Sequence, residues 1–374
     1  MKSAILIEEK HYKELTDLIK IFENFVAFLS SNIANDLLTF LSPTINFEAG
    51  DIAKLPIIFP SSPQIKQKID QLTQECIDIS KEEWDSRETS WDFKTNELLR
   101  LQKEHGFQRI EDAYNAYCNY WREKFYKLHQ NEEELNRLFI EIYGLQEELT
   151  PDVPLEDITI LKKEVKIVGG ELVFNKAEII KQLISYAVGV MFGRYSPDHP
   201  GLHIANMNES PKEANAKFHI EHPTFEIDDD NIIPVLEDEY FNDNIVARFK
   251  KFMEVTFGKE HLLENLRFIE EALGIDVRKY FYKEFFKDHI QRYKKRLIYW
   301  MIASPNKTFQ ALIYMHRYTS DIFAKVRTDY LLELIAKLEA KKEYLQNQSA
   351  TTSSQRRKID KEHRNDPKKA QRVV

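Results

Sequence analysis

The stretch Glu83-Trp84-Asp85-Ser86-Arg87-Glu88-Thr89-Ser90-Trp91-Asp92-Phe93 holds two of the four tryptophans, seven residues apart, with five charges around them. If it is helical, Trp84, Arg87, Glu88 and Trp91 share one face through the i, i+3, i+4, i+7 spacing. Such a face is either a composite aromatic and charged interaction surface, or a helix that docks two indoles into its neighbour and solvates its charges. A helix through this stretch also continues the pattern from Pro63 to Leu149, where Gly106 and Gly144 are the obvious punctuation. The expectation is a helical spacer over 64–150.

Upstream, Leu15, Leu18, Ile19, Phe22, Phe25, Val26, Leu29, Ile33 and Leu37 recur at helical spacing, with a break near Ser30. Pro43, Pro56 and Pro60 then rule out a helix, and Ile45, Phe47 and Leu55 to Phe59 suggest short strands turning at Gly50-Asp51. Residues 1–63 so read as the end of a small domain. Downstream, Thr150 to Glu156 is a linker with Pro151 and Pro154, and Lys163 to Phe174 reads as a hairpin about Gly169-Gly170. A helix over 176–192 and the Pro- and Gly-rich loop after it open a mixed segment, 151–243. Residues 244–345 read as helical with insertions near Gly274 and Ser304-Pro305, and 346–374 as a disordered basic tail. The fold class is α-rich α+β, with helical spacer bundles and a few short strands or hairpins.

Ten glycines among 374 residues, against plentiful Leu, Ile, Glu and Lys, favour helices over turn-rich β architecture. Cys76 and Cys118 supply neither a disulfide framework nor a cysteine zinc site, which points to a reducing, cytoplasmic setting. No stretch is apolar enough to span a bilayer. The charge is segregated. From Asn206 to Ile245 eleven acidic residues face only Lys212 and Lys217, whereas Arg278 to Arg296 carries eight basic residues against Glu284 and Asp288. A net charge of −8 is therefore compatible with a cationic groove.

In that groove Arg278, Lys279, Lys283, Arg292, Lys294, Lys295 and Arg296 interleave with aromatics such as Tyr280, Phe281, Tyr293 and Trp300. Cations neutralise phosphates while aromatics pack inward or stack on bases, so these seven residues are the candidate nucleic-acid contacts. The plainer alternative is an amphipathic helix with a solvated cationic face. Asp152 with Glu164-Val165-Lys166 has the form of a magnesium-nuclease pattern, but Asp152 sits in a proline linker. His199, His203, His219 and His222 cluster in sequence, and Pro200-Gly201 keeps the first two from sharing a helical turn, so no metal site is assigned. Phosphate-binding glycine loops and a G-x-S-x-G elbow are absent from the sequence.

Four phrases carry a resemblance: I-N-F-E-A-G-D-I-A-K-L-P-I, E-W-D-S-R-E-T-S-W-D-F, Y-A-V-G-V-M-F-G-R-Y-S-P-D-H-P-G-L and Y-W-M-I-A-S-P-N-K-T-F-Q-A-L-I-Y-M-H-R-Y. Together, in one order from about Thr44 to about Lys337, they resemble the PglX family, the adenine-specific DNA methyltransferases of BREX phage-exclusion systems. Members of that family transfer a methyl group from S-adenosylmethionine to adenine N6, using an Asn-Pro-Pro-Tyr type motif around the extruded base. Neither Asn-Pro-Pro nor Asp-Pro-Pro occurs in this sequence. The resemblance therefore implies a DNA-recognition and scaffold portion that does not methylate by itself, with no catalytic residue carried over and the cofactor bound elsewhere. Its implied partners are double-stranded DNA and the missing methyltransferase half or other phage-defence proteins. A protein-interaction module using the acidic 206–243 region and the Trp84 to Phe93 face, with Trp84, Arg87 and Trp91 as contacts, is the alternative. A truncated or silent specificity cassette is another.

Overall fold

A computed structural model of the chain describes residues 22–42, 47–294 and 296–347. Two compact units emerge, each assembled from separated pieces of chain: residues up to Trp84 with Cys118–Asn175, and Asp85–Tyr117 with Lys176 onward.

In the first unit the break at Ser30 is real, because Ser31 caps a new helix, α1 (Asn32–Leu41), by accepting from the Ala34 amide. The strands expected from Phe47 to Phe59 do not form among the described residues. Glu48 and Asp51 instead make a reciprocal capping box that starts a one-turn helix, α2 (Ala49–Ile52), and the prolines leave the following chain irregular. Ile45 lies outside the described residues. Helices α3 (Pro63–Asp85) and α5 (Ile110–Tyr143) then contribute Ile69 and Leu135, Leu138 and Phe139 to a core shared with Phe28 and Ile33. The hairpin β1 (Val165–Val168) and β2 (Glu171–Phe174) turns at Gly169 and Gly170, both at positive φ (61° and 79°), as a two-residue turn between right-twisted strands requires.

The second unit includes α4 (Glu97–His105), which ends at Gly106 in the left-handed conformation. It is centred on α6 (Lys176–Phe192), in which every residue from Leu183 to Phe192 is buried. A helix apolar on all sides has to be surrounded, and α8 (Ile245–Phe257) and α9 (Leu262–Leu273) pack on it. The loop expected after Phe192 is a small hairpin, β3 (Tyr195–Ser196) with β4 (His199–Leu202), and α7 (Pro211–Lys217) lies within the acidic segment.

The segment around Ser304-Pro305, expected as an insertion between helices, is a strand pair. β6 (Tyr299–Ala303) and β7 (Gln310–Tyr314) join β5 (Ile233–Pro234) in an antiparallel sheet of order β5-β7-β6. Central β7 is buried throughout: Ala311 and Ile313 meet Ile322, Tyr330 and Leu334 on one face, while Tyr314 turns to Phe192 and Tyr299 on the other. Helices α10 (Val277–Tyr280) and α11 (Phe286–Arg292) precede the sheet and are joined by a wider π-turn over Phe281–Phe285. Helices α12 (Ile322–Lys325) and α13 (Leu332–Asn347) close the unit. The tail expected to be disordered lies outside the described residues from 348 on.

Glycine is required at Gly189 for space alone. A Cβ there would stand 2.4 Å and 2.8 Å from the Tyr195 ring. Gly189→Ala is expected to cost about 1–3 kcal/mol of stability in urea unfolding. Gly50→Ala, where a Cβ meets nothing within 4 Å, should not lower the unfolding midpoint.

Candidate nucleic-acid interface

The cationic segment lies along the free edge of the sheet. At one end the Tyr282 hydroxyl donates to the Lys307 carbonyl (2.9 Å), in the turn between β6 and β7. At the other the Tyr299 amide, which opens β6, donates to His289 Nε2 (3.2 Å). The run from Val277 to Arg292 is thereby held beside β6, and the edge strand is covered where pairing with another chain would otherwise be invited.

The seven candidate cations fall into two groups. Arg278 pairs with Glu239, Lys279 with Asp276 (3.2 Å) and Arg292 with Glu178 (3.2 Å). Arg292 is held on α6 as part of the packing. Lys283, Lys294 and Arg296 are exposed, and no carboxylate pairs with them among the described residues. Lys295 lies outside the described residues. Lys294 stands at φ +49° in the turn closed by the Arg296 amide on the Tyr293 carbonyl (2.8 Å). A non-glycine residue there costs about 1–2 kcal/mol, which the packing around His289 and Tyr293 has to sustain. Trp300, one of the aromatics read in the cationic segment, is exposed on this edge, and so is Lys307, which the sequence reading did not single out.

The face predicted for Trp84, Arg87, Glu88 and Trp91 does not exist, because α3 stops at Asp85 and residues 86–92 form turns. Ser90 is the cause: its Oγ donates to Asp85 (2.7 Å) and receives the Asp92 amide (3.1 Å), so the side chain competes with helical bonding. Trp84 stays at the helix end, 60% exposed. Arg87 donates to Gln182 on α6 (3.0 Å), and Ser185 donates to the Glu88 carboxylate. Burial pushes the Glu88 carboxyl above its usual range despite the nearby Arg292. Trp91 is fully exposed, at 101%.

His199 and His203 do meet, at the start of β4 and just past its end: Nε2 of the first lies 2.7 Å from Nδ1 of the second, and both rings stack on Phe218. Asn215 takes the remaining His203 nitrogen (3.0 Å). No three His, Cys, Asp or Glu side chains gather to hold a metal among the described residues, and that includes Asp152 and Glu164.

The acidic segment builds a cavity of about 640 Å³ lined by Glu226, Asp228, Asp230, Asp243, Arg248 and Tyr330. The Tyr330 hydroxyl bridges Asp230 (2.7 Å) and Asp243 (2.9 Å). Burial pushes the Asp228 carboxyl up to about 7, against the pull of Arg248 at 3.6 Å.

His289 has the opposite shift. Burial, with Arg292 and Arg194 nearby, lowers its imidazolium to about 3, so the neutral ring keeps its acceptor for the Tyr299 amide. An unfolded histidine titrates near 6.5, so between about 6.5 and 3 the unfolded chain binds the extra proton. Stability from this group is complete above about 6.5 and is lost as pH falls. The raised Asp228 carboxyl acts in the opposite sense between pH 7 and 5, so the check is a difference: in urea unfolding, His289→Gln should raise the stability at pH 5 relative to that at pH 7 when compared with the parent.

No family model matches the sequence. Two curated relatives do. The adenine-specific methyltransferase PglX of Lacticaseibacillus casei (strain Zhang) is 38% identical over 342 residues, 87% of this chain and 26% of that protein. The adenine-specific methyltransferase BrxX of Escherichia coli O9:H4 (strain HS) is 33% identical over 358 residues, 90% of this chain and 28% of that protein. The chain thus spans about a quarter of the length of the relatives it matches. Through that shared segment, which takes in α6 and β6–β7, the chain is a homologue of part of the proteins named adenine-specific methyltransferases PglX and BrxX.

Proposed function

We propose that this chain is a DNA-contacting and scaffold portion of an adenine-specific DNA methyltransferase acting in cytoplasmic phage defence. The observation that carries the reading is the set of exposed, unpaired cations along the β6 edge: Lys283, Lys294 and Arg296. Each is free to replace a counterion on a phosphate without first breaking an ion pair, whereas Arg278, Lys279 and Arg292 are not. The names of the relatives supply the substrate class. Methyl transfer and S-adenosylmethionine are assigned to another part of the enzyme. No G-x-G turn stands in the sequence to receive a nucleoside.

A second reading, a docking module for another defence protein, is favoured by the same cavity. Its carboxylates would accept a cationic side chain, at a place away from the β6 edge in sequence.

Titration of the chain with duplex DNA at several salt concentrations separates the two. Binding should fall steeply with salt, with a log–log slope of roughly 0.9 for each phosphate neutralised. Lys283→Glu, Lys294→Glu and Arg296→Glu together should weaken binding at least about tenfold and flatten that slope by about 2–3. A salt response that is flat, or unaltered by the triple variant, leaves only the docking reading.

A further inference from the structure

The fully exposed Trp91 indole stands on a loop whose backbone is tied down on both sides of it. Ser90 ties the loop to Asp85 and to the Asp92 amide. Two residues beyond Trp91, Phe93 is buried between the rings of Tyr186 (6.1 Å) and Tyr195 (5.3 Å). Next to it the Lys94 carbonyl accepts from the Gly201 amide at 2.7 Å. A large apolar ring held out in water by an anchored backbone lacks contacts on both faces and regains them only from something that stacks.

The loop's position says what is available to stack. Glu178, Gln182 and Ser185 lie on one face of α6 at i, i+4 and i+7, and they bind Arg292, Arg87 and Glu88 in turn. Seven residues of helix rise about 10 Å, so the turn bearing Lys294 and Arg296 and the loop bearing Trp91 dock side by side on that face. The cations provide for phosphates. The indole carries no charge, so beside those cations it offers a flat apolar face. Of the loop's carboxylates, Asp85 meets Ser90 and Glu88 meets Ser185.

We propose that Trp91 stacks on an unstacked base of the DNA whose phosphates Lys294 and Arg296 hold. The assignment rests on the DNA reading above and adds a base contact to it. Base–aromatic stacking changes affinity by roughly tenfold for each base and does not depend on salt, because no counterion is released.

The test compares a fully paired duplex with the same duplex carrying one central unpaired nucleotide, by fluorescence anisotropy with the full chain. The parent should bind the bulged duplex about tenfold more tightly. Trp91→Ala should abolish that preference and leave the salt slope unchanged, and Trp91→Phe should keep most of it. Because the indole touches nothing in the core, the variants should unfold as the parent does. The proposal is overturned if Trp91→Ala binds the bulged duplex as tightly as the parent. If Lys294→Glu and Arg296→Glu still weaken both duplexes in that case, only the stacking role falls. If the parent binds neither duplex, the DNA reading falls with it.

Discussion

Burial of α6 on every side is the constraint on which the second unit depends. A helix that buries Leu183 to Phe192 without a gap leaves its neighbours little choice of register. Gly189 has to be glycine for the Tyr195 ring to close on it, and Phe192 supplies the ring on which Tyr299 stacks at 5.4 Å. The few polar side chains at its N-terminal half then act as addresses. Glu178 takes Arg292, Lys181 takes Asp288 at 3.0 Å, Gln182 takes Arg87 and Ser185 takes Glu88. Pairs of this kind, largely out of water, add less to net stability than to specificity, since a mismatched register would bury a charge unpaired.

The sheet edge is governed by a second constraint of the same kind. The Tyr299 amide points away from β7 and would need water or another strand, yet it finds a neutral histidine. His289 accepts because it is too buried to hold a proton. The helical run that carries it then displays its unpaired cations along the same edge, so packing and electrostatics place one surface.

Much of this was legible in the chain. The Gly169-Gly170 hairpin, the helix stop at Gly106, the break near Ser30 and the helix over 176–192 were all readable, because each rests on residues close in sequence. The 83–93 stretch misled because helical spacing is necessary for a helix and not sufficient. A single serine side chain, bonding back to Asp85 and forward to Asp92, outweighed the spacing. The short strands read at Phe47 to Phe59 failed for a related reason, since a capping box between Glu48 and Asp51 favoured a helical turn there. The strands at Tyr299 and Gln310 were passed over inside a helical reading, although the β-rich run Tyr299 to Ile302 and the turn residues Ser304-Pro305-Asn306 were their signal.

By itself the sequence determined the α-rich class, the segregation of charge and the family, because composition and long ordered phrases survive without coordinates. Only the tertiary structure decided which cations are free. Seven basic residues read alike along the chain. Arg278 and Arg292 are drawn back by ion pairs with Glu239 and Glu178, far off in sequence, whereas Lys279 stays exposed beside Asp276 three residues before it. Charge is a property of a residue, but availability is a property of its neighbours, and those are set by folding.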